Sequence, residues 1–335
     1  MEQILKNKLV NENRRKLPMA TLTISPEEEK RVKALGFLSN KGTDEFSGRI
    51  ITVNGKITAQ QQQKIGEAAD KFGNGTVVFT TRLTIEVPGI PFDKIEEFRS
   101  FIGEAGLVTG GTGSKVRPVV SCKGTTCQYG LIDTYAISEE VHKRFYEGYR
   151  EVKLPHKLKI AVGGCPNNCV KPDLNDIGIV GQRIPNFDED ECNGCKKCSV
   201  VKACPMGAAK LEDGCLEIDP DTCNNCGRCV GTCRFDAIPD GTTAYKIYLG
   251  GRWGKNVAQG RAMSKVFTDL EEMYSIVEKA ILLYREQGKT GERFSQTIER
   301  LGFENIEQQL LTNDLLERKQ AIIDAQLHLT GGATC

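Results

Sequence analysis

Residues 154–169 read LPHKLKIAVGGCPNNC. Lys157 and Lys159 alternate with Leu158, Ile160 and Val162, the period of two expected of a strand, so both lysines leave one face and the apolar side chains the other. Gly163-Gly164 breaks that pattern, and Cys165 and Cys169 follow at a C-x3-C spacing. A second pair, Cys122 and Cys127 in SCKGTTC, also sits on a Gly-containing turn just after a strand-like segment. Zinc ribbons usually use C-x2-C knuckles. These looser pairs suit a [4Fe-4S] cubane set against a second cofactor.

Downstream, the chain changes character. Residues 186–240 are dense in Cys, Asp, Asn and Gly and show little apolar periodicity, so the segment is expected to need cofactors to fold. Cys192, Cys195 and Cys198 are spaced C-x2-C-x2-C and are followed by Cys204-Pro205; Cys223, Cys226 and Cys229 repeat the spacing and are followed by Cys233. This is the two-cluster bacterial ferredoxin pattern, in which the last cysteine of each run serves the other cubane. One cluster takes Cys192, Cys195, Cys198 and Cys233; the other takes Cys223, Cys226, Cys229 and Cys204. Five residues rather than three precede Cys204, which reads as a small extra loop, and Arg234 stands where a proline is usual.

Upstream, Ser25-Pro26 with Glu27–Glu29 is a helix start. Residues 49–53 read as a strand, Asn54-Gly55 as a turn, and Thr58 as the cap of a helix that Gly73 ends. Residues 76–87 read as one strand and Asp93 starts a second helix reaching about Gly106, an order that argues for a two-layer α/β unit. After residue 240, a strand at 244–251 and helices at 270–288 and 304–311 resume an α/β pattern, so the cysteine-dense segment is an insert.

Composition narrows the class. The 335 residues carry a net charge of +1, which points to neither nucleic acid nor a membrane surface. No run of 18 apolar residues spans a membrane, and residues 1–16 lack the apolar stretch of a signal peptide, so a cytoplasmic protein is expected. Fourteen cysteines against three histidines disfavour mixed Cys/His zinc sites, and disulfides suit small secreted domains rather than this chain. No G-x-G-x-x-G follows a strand, so no nicotinamide or flavin site is expected.

With the quoted motifs in place, the chain resembles the sirohaem-containing sulfite and nitrite reductases. Residues 154–169 look like that family's core motif and VRPVVSCKGTTC like its first cysteine pair, with C-x4-C here in place of the usual C-x5-C. FTTRLTIEVPGIP, residues 79–91, is similar to a strand of its N-terminal half-domain, and YKIYLGGRWGK, residues 245–255, to the strand that resumes after a ferredoxin insert. A single chain with such an insert most resembles the catalytic C-type polypeptide of the anaerobic sulfite reductases.

The resemblance implies an α+β chain: a lead-in at 1–44, a ferredoxin-like half-domain at 45–115, a sirohaem and [4Fe-4S] domain at 116–185 and 241–335, and an inserted 2[4Fe-4S] ferredoxin domain at 186–240. It implies that Cys122, Cys127, Cys165 and Cys169 hold a third [4Fe-4S] cluster, with Cys169 also touching the sirohaem iron. Arg49, Arg117, Lys157 and Lys159 match the family's anion-binding residues, and Arg82, Arg252 and Lys255 are candidates for the sirohaem carboxylates. The implied activity is multi-electron reduction of sulfite to sulfide, with nitrite to ammonia as the alternative. Electrons are expected from an external ferredoxin or a partner subunit. An electron carrier without sirohaem, or a sirohaem protein kept for assembly or sensing, are the rival readings. Trp253 reads as a packing residue, Cys215 and Cys335 as thiols outside the clusters, and His142 and His156 carry no role. Lys159 lies only six residues before Cys165, so a homodimer with sites completed between copies is a further expectation.

Overall fold

A computed structural model describes residues 24–328; Cys335 and residues 1–16 lie outside them. The chain divides into two compact units, residues 1–113 and 114–335.

The first unit is a four-stranded antiparallel sheet, with strands β1 (Phe37–Ser39), β2 (Glu45–Ile50), β3 (Val78–Phe79) and β4 (Ile85–Pro91) in the order β1-β2-β4-β3. Helices α1 (Pro26–Ala34), α2 (Ala59–Phe72) and α3 (Ile95–Gly103) complete it. Ser25 caps α1, and Thr58 and Gln61 form a reciprocal capping box on α2. Phe37, Phe72 and Phe98 meet edge to face in the core. A Cβ on Gly48 would come within 2.9 Å of Phe37 and Ile90, so the core closes only over a glycine there.

Three expectations change here. β1 falls within residues 1–44, which read as lead-in. The strand expected at 49–53 leaves the ladder at Ile50, and Val53 bridges Lys56 across Asn54-Gly55, both with positive φ. The single strand expected over 76–87 is a hairpin: Thr80 Oγ1 accepts from the amides of Arg82 and Thr84, and Leu83 takes a φ of 57°. β-Branched residues fill both the strands and the turn, so composition hides the break.

The second unit is built on a five-stranded sheet in the order β11-β10-β7-β6-β5. β5 (Val120–Ser121), β6 (Ile160–Gly163) and β7 (Ile177–Pro185) run parallel; β10 (Gly241–Leu249) and β11 (Arg261–Phe267) add antiparallel. α4 (Thr134–Val141) leads into a single π-type turn, His142–Glu147, and α6 (Leu270–Gln287) is buried on all sides along its second half, Lys279 to Arg285. β11 and the helix α7 (Phe294–Leu301) went unrecognised in the sequence.

β7 and β10 pair along their full length, from Ile177↔Leu249 to Pro185↔Gly241. The cysteine-dense segment is therefore the loop of one long hairpin, and its two ends are pinned together. Within it lie α5 (Ser199–Ala203) and the hairpin of β8 (Ala209–Glu212) with β9 (Cys215–Ile218). Four buried residues, Val200, Ala209, Leu216 and Ile238, form its small core, against which Cys192, Cys198, Cys204, Cys229 and Cys233 pack. The extra residues before Cys204, expected to be a loop, are the helical turn α5.

One buried ion pair ties this unit together. Both oxygens of Asp176 lie 2.8 Å from Arg293 Nη2, Oδ2 also accepts from the Lys159 amide, and the Asp176 carbonyl accepts from Gly250. Asp176→Asn should strip Arg293 of its counter-charge and cost about 3–5 kcal/mol. A chemical denaturation midpoint equal to the parent's would show that the pair is not structural.

Candidate functional site

The first site is built where two parallel strands end. The Cys122 amide donates to Val162 O, and Gly164 N donates to Cys122 Sγ at 3.1 Å, so the loops after β5 and β6 meet across this contact. Gly124 and Gly164 touch: a Cβ on either would lie 2.9 Å from the other's Cα. This close approach is what the glycines beside each cysteine pair provide. Cys127 follows a 3-10 turn, Gly124–Thr126, anchored where Thr134 Oγ1 donates to Cys122 O. Burial pushes the Cys165 thiol up, and Cys122, Cys169 and Cys127 act in the same direction, which places those three within electrostatic reach of Cys165. Cys122, Cys127 and Cys165 are half-buried while Cys169 is exposed. Asn168 and Lys171, flanking it, adopt left-handed φ values of 56° and 51°.

The insert holds the remaining cysteines. Burial pushes Cys229 up to about 11, with Cys223, Cys226 and Cys204 acting the same way, so Cys204 reaches the second run. For Cys204 burial is outweighed by four amide donors, from Ala209, Met206, Ala208 and Gly207, which pull its thiol down. Amide donation from Gly194 lowers Cys192. Cys215 stands at the start of β9 and also donates to Cys192, so it is a neighbour of the first run. Amides aimed at sulfur are the donors that stabilise cluster thiolates. All thirteen described cysteines are free of disulfides. No three Cys, His, Asp or Glu among the described residues converge on one metal-ion position; a cubane spreads its ligands over four irons. The donor sets fit [4Fe-4S] clusters.

The basic residues lie elsewhere on the same strands. Val116 bridges Leu158 in parallel, and Arg117 N donates to Leu158 O at 2.8 Å, which sets Arg117 beside the lysine segment. Lys157 and Lys159 are half-buried around a buried Leu158 and precede β6 instead of lying within it. His156, which the sequence left without a role, sits among this charge. Burial lowers its ring to about 4, and Arg293, Lys157, Arg117 and Arg252 push the same way. Its Nδ1 accepts from the Lys157 amide at 2.7 Å. Arg252 lies in a loop closed by its two backbone hydrogen bonds with Ala258, and Lys255 is exposed in that loop.

Trp253 is not a packing residue: it is 62% exposed, with Lys171 Nζ 5.8 Å from its ring. In the first unit, Arg49 is paired with Glu86 at 2.7 Å and donates to Gly111 O, while Arg82 sits in the β3–β4 turn. Asp176 and Arg293 escaped sequence reading because their partnership spans 117 residues and leaves no local pattern.

Residues 112–319 match the nitrite and sulphite reductase 4Fe-4S domain, and residues 39–105 match the nitrite/sulfite reductase ferredoxin-like half domain. The chain belongs to the nitrite and sulfite reductase family. It is 30% identical over 247 residues to a coenzyme F420-dependent sulfite reductase of Methanocaldococcus jannaschii, covering 73% of this chain but only 38% of that protein. An uncharacterised protein of the same organism is 31% identical over 78% of this chain and 90% of its own length. The C-type polypeptide of the anaerobic sulfite reductase of Salmonella typhimurium is 33% identical over 45% of this chain and 46% of its own length. In fold, the family member shares 80% of its length with dissimilatory sulfite reductase I, covering 69% of that chain at a TM-score of 0.64 and 22% identity. No described helix is long and apolar enough to cross a membrane.

The position of His156 makes a pH test. Its folded value, about 4, lies below the ordinary 6.5, so the unfolded chain takes up a proton first as pH falls. Stability should drop between those two values, and His156→Gln, measured by denaturation across that range, should flatten the drop. An identical slope in the variant would contradict this.

Proposed function

We propose that the chain reduces sulfite to sulfide by multi-electron transfer, at a sirohaem joined through Cys169 to the cluster of Cys122, Cys127, Cys165 and Cys169. The observation that carries the reading is the exposure of Cys169 beside three half-buried partners. The thiol at the open edge is the one that can be shared with a second group. When bound, sirohaem supplies an iron that takes the oxyanion and delivers electrons to it.

The chain's own residues do the rest. Arg117 offers a planar fork to an oxyanion, and Lys157 and Lys159 offer point charge and protons as oxygen leaves. Arg49 is proposed as a further anion contact, and Arg82, Arg252 and Lys255 as contacts for the sirohaem carboxylates. His156 accepts from the Lys157 amide and so fixes the backbone of that lysine. Two further clusters, on Cys192, Cys195, Cys198 and Cys233 and on Cys223, Cys226, Cys229 and Cys204, bring electrons from a ferredoxin or a partner subunit. A cytoplasmic setting, where thiols stay reduced, suits all three.

Twelve cysteines in three cubanes, plus sirohaem, predict about thirteen iron atoms per chain. About eight irons with no extractable tetrapyrrole would leave only an electron carrier. Nitrite matches sulfite as a small oxyanion, so parallel steady-state assays with reduced viologen decide between them; a larger kcat/KM for nitrite would replace the substrate named here.

The placement of the two residue sets adds an oligomer. Arg117 and Lys159 lie at the start of the β5–β6 pair and the cysteines at its end. From Lys159 to Cys165 an extended chain runs about 20 Å at 3.3 Å per residue, and Gly164 is held against Cys122 rather than turned back. We propose that a second copy supplies the lysines to each Cys169. Lys159→Ala alone should lower kcat by about 10²-fold or more. Co-expressed Lys159→Ala and Cys169→Ser chains should regain part of the lost activity, and demonstrated heterodimers without recovery would place the whole site in one copy.

A further inference from the structure

The two cysteine runs of the insert face different neighbours. Asn225 and Cys226 of the second run lie against β7: Arg183 N donates to Asn225 O at 2.8 Å, Asn225 Nδ2 donates to Gln182 Oε1, and Arg183 bridges Cys226 in parallel register. A Cβ on Gly227 would lie 2.7 Å from Arg183 Cβ, so this approach is as close as a glycine permits. Two residues back along the same strand, a Cβ on Gly181 would lie 2.7 Å from Gly164 O. Gly164 in turn precedes Cys165 and donates to Cys122 Sγ. A few backbone units and hydrogen bonds thus link Cys226 to Cys165.

Space joins them as well. Cys165 and Cys226 line one cavity of about 710 Å³, walled also by Tyr129, Met206 and Arg228. The Arg228 guanidinium lies 5.4 Å from the Tyr129 ring centroid, closing one side with a cation–π contact. The first run turns toward its own hairpin instead. Cys192 takes donors from Gly194, Leu216 and Cys215, and a Cβ on Gly194 would lie 2.2 Å from Gly214 O.

We propose that the cluster of Cys204, Cys223, Cys226 and Cys229 is the direct electron donor to the cluster of Cys122, Cys127, Cys165 and Cys169. The cluster of Cys192, Cys195, Cys198 and Cys233 is the outer, entry position. Electron tunnelling falls steeply with distance, so the cluster seated on β7 outcompetes the one behind it. Each transfer oxidises the second-run cluster by one electron and reduces the site cluster by one; no bond is made or broken. The first-run cluster refills the donor and is itself reduced by a low-potential one-electron carrier, a ferredoxin or reduced viologen. This order rests on the three-cluster reading above but not on the substrate.

The test uses the full chain, fully reduced and read by electron paramagnetic resonance rather than by turnover. Beyond any coupling to the sirohaem through Cys169, which every variant shares, the parent's site-cluster signal should be broadened by magnetic coupling to a neighbouring cluster. Cys226→Ala should abolish that coupling, and Cys195→Ala should keep it. Coupling that survives Cys226→Ala, or that disappears in Cys195→Ala alone, overturns the order. Should Cys226→Ala fail to fold, Gly227→Ala keeps every cysteine while pushing the second run off Arg183. It should weaken the coupling at unchanged iron content, and undiminished coupling would overturn the proposal. Because sulfite is absent, a chain that shows the coupling yet fails to reduce sulfite refutes the proposed substrate and leaves the order intact.

Discussion

A carboxylate with no exposure to solvent, Asp176, holds the second unit in register. Burying an ion pair is costly unless its remaining hydrogen-bonding sites are met. Here the carboxylate takes Arg293 at the head of α7 and the Lys159 amide ahead of β6, while the main-chain carbonyl of Asp176 accepts from Gly250 after β10. The same residue therefore sets where the lysine segment enters the sheet and where the Gly250-Gly251 turn leaves it. It holds Lys159 through the backbone amide.

That constraint gives the β5–β6 pair two chemically distinct ends. One end gathers Arg117, Lys157 and Arg252 around a histidine held neutral by burial and by these cations. The other converges four thiols on a pair of glycine turns, with Cys169 at the open edge. The β7–β10 hairpin then carries the insert as an extended loop. The insert's own core is four buried residues, against which five of its cysteines pack.

Much of this was legible in the sequence because it is local. Glycines beside the cysteine pairs mark turns that bring backbones into contact, and Thr58 announces a helix start. The cysteine-rich, apolar-poor segment stood out by composition, and the strands on either side of it pair in the structure. What stayed hidden depends on distance or on an even composition. Asp176 and Arg293 meet across 117 residues. The hairpin turn at residues 80–84 is as β-branched as its strands. Trp253 looked like core because tryptophan usually packs, yet its loop stands away from the sheet at 62% exposure. His156 was passed over because its significance comes from four cations, three of them brought to it by other segments.

The central claim is that Cys169 sits at the open edge of a cluster that shares it with a sirohaem. The most direct measurement is the visible spectrum of the purified chain, followed as Cys169 is replaced by Ser. The account predicts a Soret band and a red band in the parent, with the red band displaced in the variant because the shared sulfur is lost. A parent spectrum showing only the broad brown shoulder of iron–sulfur clusters would contradict it.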